Sequence, residues 1–291
     1  MVAAVALLTL MSVLVKVIGP DYHPTQITFV RNLIAMAVIL PFIYRAGGLA
    51  IMKTRRPGLH LTRSLAGTAG NILYFFAFQY MTVGDVVVIS QAVPLFVTIL
   101  AVLFLGEQVG VRRWLSILVG FAGVIIAINP AGNFTAISLI AVLATGCWAT
   151  TLLLMRRLGT TESPYAVAFY FMLIGSIITA CFQPWVWRTP SPDIMLLLLG
   201  IGISGALGQI LMTTALKLAK ASVVSPFSYT GILWAVGFDL IIWNVIPAWT
   251  TVLGAVIISA SGLYIFHRES IARAISDEDR EGKTNAEQKG R

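Results

Sequence analysis

Apolar runs about as long as a bilayer core is thick follow one another down this chain almost without pause, and nearly all the charge lies between them. A run of about 20 apolar residues crosses the hydrocarbon region as a helix. In lipid a backbone must satisfy its own hydrogen bonds, so only helices and closed barrels can cross. The period-two alternation of a barrel strand is missing here. The runs fall at approximately 1–18, 26–44, 62–82, 86–105, 111–128, 134–155, 164–184, 194–217, 222–243 and 248–266. The expected fold is therefore all-α and integral to the membrane, with about ten transmembrane helices. Composition agrees: 58% of residues are hydrophobic and 11% charged, against about a quarter charged in soluble domains. So little charge cannot wet the surface of a water-soluble globule.

The net charge of +8 does not point to nucleic acid, because the basic residues sit in loops flanking the runs. Alternate loops differ sharply. One set holds Arg45, Lys53, Arg55, Arg56 and Arg63, then Arg112 and Arg113, Arg156 and Arg157, and Lys217 and Lys220. The other holds only Lys16 and Arg188. Positive residues stay on the cytoplasmic side, which predicts a multi-pass protein of a bacterial inner membrane with both termini in the cytoplasm. Met1 leads into the first run without a basic stretch, so no cleaved signal is expected. Cys147 and Cys181 both lie inside runs and are expected to be buried thiols. Residues 268–291 mix basic and acidic groups with few apolar anchors and are expected to form a disordered cytoplasmic tail.

A repeat runs through the chain at an offset of 138 residues: Gly67, Gly70, Ile72, Leu73 and Ala77 match Gly205, Gly208, Ile210, Leu211 and Ala215. Val86 then matches Val224, Leu115 matches Leu253, and Asn71 faces Gln209. The halves are placed at 1–130 and 131–267, five spans each. Five is odd, so the second half enters the membrane upside down. Inverted repeats of this kind build secondary transporters with a site between the halves.

The stretch Leu105-Gly106-Glu107-Gln108-Val109-Gly110-Val111-Arg112-Arg113-Trp114, continuing into Gly120-Phe121-Ala122-Gly123-Val124, resembles the first-half signature of EamA-type transporters of the drug/metabolite transporter superfamily. Phe29-Val30-Arg31-Asn32-Leu33 resembles that family's second-helix motif, and Pro94 its fourth-helix proline. The second half departs from the pattern, with Asn244-Val245 where the family usually repeats Gly-Glu, so Glu107 has no symmetric counterpart. The resemblance implies a ten-helix bundle working by alternating access and exporting amino acids or other metabolites.

Several side chains could line a path. Asn71, Tyr74, Phe75 and Phe78 share one helical face by their spacing. An amide, a phenol and rings on one face suit a small amphipathic solute, or simply aromatic packing. Ser90, Gln91 and Pro94 cluster in the fourth run, where a proline frees a carbonyl or kinks the helix. Trp148, Gln209 and Tyr229 lie at comparable depth elsewhere. The expected substrate-binding set is Asn71, Tyr74, Phe78, Gln91, Trp148, Gln209 and Tyr229. Glycine stripes such as Gly67 and Gly70 read as close helix packing, and Asp85 as a helix cap.

Charges inside runs are few. Arg31 and Asp239 each lie about 7–8 Å in from a span end at a helical rise of about 1.5 Å per residue. An ion pair between them would latch the halves together; alternatively each reaches headgroups or water on its own. Gly202-Ile203-Ser204-Gly205 matches the surroundings of an intramembrane protease serine. His23, His60 and His267 all lie at or beyond span ends, too far to serve Ser204 as a base. The chain is expected not to be an enzyme and to need no cofactor or metal. Its partners are a small-molecule substrate and the lipid bilayer. A passive channel remains the alternative to a carrier.

Overall fold

The computed structural model describes residues 1–54, 56–106, 110–129, 136–158, 162–218 and 225–267. The described residues form helices and short turns. The helices are α1 (Val2–Ile18), α2 (Pro24–Arg45), α3 (Pro57–Tyr80), α4 (Val83–Ser90), α5 (Val93–Leu105), α6 (Val111–Ile128), α7 (Ala136–Leu158), α8 (Pro164–Ala180), α9 (Gln183–Val186), α10 (Pro192–Leu218) and α11 (Thr230–Trp243). Trp249–His267 follows as α12. By length and composition, eight helical segments can cross a membrane. Pro164–Ala180 is a shorter apolar helix of 17 residues. Pro57–Tyr80 has 24 residues but opens on Gly58, His60 and Arg63, which lower its hydropathy. The tail from Arg268, and Glu107, lie outside the described residues.

Local chemistry sets the ends. Pro24, Pro57 and Pro164 occupy the first helical position, where a missing N–H costs nothing. Gly106, Asn129 and Asn244 close α5, α6 and α11 in the left-handed conformation. The fourth run is broken: α4 stops at Ser90, and α5 restarts at Val93 with Pro94 in its first turn. The expected kink is thus an interruption at Gln91 and Ala92. The ninth run opens with a 3₁₀ segment, Ser225–Tyr229, before α11.

α1 lies along α10, and α3 along α7. α2 packs on α8 and also on α10, while α3 packs on α8; α4 crosses α11. Small residues bring these backbones together, as expected where lipid removes the hydrophobic drive between helices. Gly70 of α3 faces Cys147 and the Ala144 carbonyl of α7, and Gly208 of α10 faces Leu8 and the Ala4 carbonyl of α1. A Cβ on Gly67 would meet the Phe171 ring at 2.7 Å and Thr151 Oγ1 at 3.2 Å; one on Gly205 would meet Met11 Sδ at 2.8 Å and Arg31 Nε at 3.2 Å. Gly123 and Gly254 do the same work between α6 and α12. Leu103, Phe104, Leu118, Leu143, Ile241 and Val256 stand exposed around the rim, an apolar girdle of the sort that lipid covers.

Cys181 is exposed at the end of α8 rather than buried, and Cys147 is half-buried. Position inside an apolar run does not fix which way a side chain faces. Asp85 is not the cap of α4 either. Thr82 accepts the Asp85 N–H at 3.1 Å, one turn earlier, and the Asp85 carboxylate accepts the Thr251 hydroxyl at 2.7 Å.

Candidate translocation site

Seven side chains were expected to share one cavity, and the structure sorts them into groups. Tyr74 of α3 donates to Thr145 Oγ1 of α7 at 2.9 Å and stacks on Phe78 at 6.2 Å. Asn71 begins that ladder one turn earlier. It is buried, and its Nδ2 finds no partner among the described residues. Trp148 is half-buried on α7, with its backbone N against bare Gly70. These four belong to the α3–α7 seam. Gln91, at the α4–α5 break, donates to the Ser228 carbonyl at 3.3 Å. Tyr229 follows directly, its hydroxyl lodged against Gly262 of α12. These two join the two interrupted runs. Gln209 is half-buried on α10 beside Gly208, at the α1 seam. Phe75, on the ladder's expected face, is buried in the core. Ser204 donates to the Gly200 carbonyl of its own helix at 2.6 Å.

Two polar clusters tie opposite ends of the bundle. At one end Asp239 of α11 accepts Lys16 Nζ at 3.2 Å, and Lys16 sits 4.3 Å over the Trp243 ring. The same carboxylate accepts the Val83 N–H at 3.2 Å and the Gly84 N–H at 2.6 Å. It therefore caps α4 from another helix, where a carboxylate also meets the positive end of the helix dipole. Gln79 donates to the carbonyls of Gly19 and Tyr22, and Gln26 to that of Arg188, at this same end. The Arg31–Asp239 pair anticipated from depth counting does not form. Lys16 was assigned to a loop, yet it is the last-turn residue of α1 and meets Asp239.

The opposite end holds a cluster that sequence reasoning missed. His60 Nε2 of α3 stands 3.9 Å from Glu162 Oε2, both side chains almost fully enclosed. Thr54 donates to Glu162 at 3.0 Å, and His60 packs on the Tyr170 ring at 4.7 Å. Arg63 donates to the Val167 carbonyl at 3.0 Å and lies 4.5 Å over Phe171. Glu162 is remote from His60 in sequence and sits between apolar runs, so neither period nor spacing pointed to it.

Arg31 does not reach headgroups. It is 5% exposed and lies against Gly205, the middle of α10. Its Nη1 donates to Asn32 Oδ1 at 3.1 Å. A charge at that depth costs at least about 2.5–3.5 kcal/mol unless compensated.

The sequence profile of the EamA-like transporter family matches residues 1–129 and 135–266. This chain belongs to that family. It is similar to the S-adenosylmethionine uptake transporter of Rickettsia bellii, at 30% identity over 261 residues covering 89% of each chain. It is 31% identical to the riboflavin transporter of Vibrio cholerae over 249 residues, 84% of each chain. The pseudopaline exporter of Pseudomonas aeruginosa is 26% identical over 256 residues, 86% of this chain and 88% of that one. One solved crystal structure superposes with a TM-score of 0.63 at 17% identity, covering 90% of this chain and 93% of its own, which shows a shared fold. This EamA-like protein is thus a multi-pass membrane transporter for a small metabolite. Its relatives carry different solutes in different directions, so membership alone names neither for this chain.

Proposed function

We propose that this protein is a secondary transporter that moves small amphipathic metabolites by alternating access between two inverted five-span halves. Amino acids, aromatic ones included, are the leading solutes, moved outward across a bacterial inner membrane with both chain termini in the cytoplasm. The paired environments of Gly67 with Gly70 and Gly205 with Gly208 carry this reading. Met11 and Thr151, Arg31 and Phe171, and Ala4 and Ala144 are each 140 residues apart, and each pair meets the corresponding glycines of α10 and α3. A duplicated half meeting its copy across a two-fold axis would make such contacts. The ten-span count follows if α3 and α8 also cross. S-adenosylmethionine, the solute of one relative, has an amino-acid end, which fits the same class.

In this arrangement the Lys16–Asp239 cluster closes the outer end, and the His60–Glu162 cluster ties α3 to α8 at the inner end. The proposed solute contacts are the α3–α7 ladder of Asn71, Tyr74 and Phe78, with Trp148, Gln91, Gln209 and Tyr229. The test is counterflow in proteoliposomes preloaded with single amino acids, then with S-adenosylmethionine. Saturable counterflow of an amino acid, reduced at least tenfold by Trp148→Ala in protein that remains monodisperse, is the expected result. Flux that rises linearly with concentration would instead indicate a passive channel. Inside-out and right-side-out vesicles compared side by side give the direction.

A further inference from the structure

Arg31, Asn32 and Thr68 are all buried at the junction of α2, α3, α8 and α10. They are under-satisfied in a consistent way. Asn32 Oδ1 accepts from Arg31, while Arg31 Nε, Asn32 Nδ2 and Thr68 Oγ1 have no hydrogen-bond partner among the described residues. No carboxylate among those residues pairs with Arg31. The neighbouring helices are bare where these groups point. A Cβ on Gly175 of α8 would lie 2.8 Å from Asn32 Nδ2 and 2.9 Å from Thr68 Oγ1, and one on Gly205 would meet Met11 Sδ at 2.8 Å and Arg31 Nε at 3.2 Å, so α8 and α10 pack directly on these groups.

The other side of the repeat shows that packing does not demand this polarity. Carrying the 140- and 138-residue offsets across, Arg31 becomes Phe171, Asn32 becomes Met172, Thr68 becomes Ala206 and Gly175 becomes Ala35. Phe171, Met172, Ala206 and Ala35 do pack together, as one buried apolar cluster. A helix junction of this shape is therefore well served by hydrocarbon alone. On one side it is built instead from a guanidinium, an amide and a hydroxyl with donors to spare.

Resting on the transporter reading above, we propose that Arg31, Asn32 and Thr68 form the anchor for a carboxylate on the transported solute. A guanidinium fork matches a carboxylate in charge and shape, and spare N–H and O–H donors beside it suit the remaining lone pairs. One cation answers one negative charge, which favours a monocarboxylate over a phosphate ester. Gly175 and Gly205 let α8 and α10 pack on these groups too closely to admit even a methyl, so the anion enters only when those helices stand off α2, and binding it would favour that more open arrangement.

The test uses the purified full-length protein in detergent and reads its melting temperature with sodium phenylacetate, phenylacetamide and sodium acetate, beside counterflow in proteoliposomes. Phenylacetate is expected to raise the midpoint of the wild type at a concentration at least tenfold below that needed for phenylacetamide. Arg31→Met should abolish the difference, and Arg31→Lys should keep part of it. If Arg31→Met does not fold, the pair Asn32→Met with Thr68→Ala, which installs the residues of the apolar side, should cut the preference several-fold. An acetate effect equal to that of phenylacetate at equal concentration would mark a free-anion site and overturn the proposal. So would equal response of the wild type to acid and amide, or a preference that survives both variants. A midpoint preference without amino-acid counterflow would leave the anchor standing and strike the solute class proposed above.

Discussion

Arg31 and Phe171 hold corresponding places beside Gly205 and Gly67, and they solve the same packing problem with opposite chemistry. Phe171 fills its gap with a ring, which in turn supports the Arg63 guanidinium. Arg31 fills its gap with a charge that gains one neutral hydrogen bond and no counter-charge among the described residues. Close approach of two helices thus requires only a glycine and something of fitting size. Polarity at one of two equivalent junctions is an added property, held against the cost of desolvation.

The contrast can be broken most forcibly by making the apolar side resemble the polar one. Phe171→Arg would set a second guanidinium against Arg63, where Glu162 already answers His60. An uncompensated buried charge costs about 3–5 kcal/mol, so recovery of monodisperse protein should collapse. Normal recovery would mean that the apolar side is not energetically closed to charge.

The glycines give the next largest effect. Gly67→Ala drives a methyl into the Phe171 ring, which has α8 behind it, and should cost about 1–3 kcal/mol in thermal unfolding. Gly205→Ala meets the ends of Met11 and Arg31, both flexible, so it should cost less stability while displacing the guanidinium and raising the solute KM. A larger stability loss at Gly205 than at Gly67 would reverse the assignment of which side is rigid.

The smallest effect comes from exchanging Ala35 and Gly175. Ala35→Gly should lower stability by about 0.5–1 kcal/mol through helix propensity alone, with flux unchanged. Gly175→Ala regains that propensity but crowds Asn32 Nδ2 at 2.8 Å, so stability should move little while flux falls. Equal flux in the two variants would remove any functional difference between the junctions.

Hydropathy and glycine spacing made the helices and their closest contacts legible, because both depend on period along one chain. Pro94 announced the break at Gln91 and Ala92. What stayed hidden was azimuth, the direction each side chain takes around its helix. Arg31 and Asp239 were correctly set apart as buried charges, but depth alone could not say that Asp239 turns to Lys16 and Arg31 to Gly205. Asp85 was read as a cap because it stood just before the expected fourth run, while Thr82, the hydroxyl that does the capping, had been counted as the end of the third. Of the expected site, Tyr74 with Phe78 and Gln91 with the Tyr229 segment do make contacts. Their polar partners, Thr145 and the Ser228 carbonyl, carry no signature a lone sequence could expose.

Because Asp239 belongs to α11 while the N–H groups of Val83 and Gly84 that it accepts belong to α4, separating those helices leaves α4 with Thr82 alone as its cap. Loss of a capping interaction costs about 0.5–2 kcal/mol, and if α11 also leaves α1, the Lys16 ammonium loses its counter-charge too. Parting at this end is then coupled to fraying of the first turn of α4. Such a closure has a threshold: small displacements are resisted by short, directional bonds, and once these fail together little opposes further travel. The protein would dwell shut and open in discrete steps, with a dwell time to which this one carboxylate contributes several bonds at once.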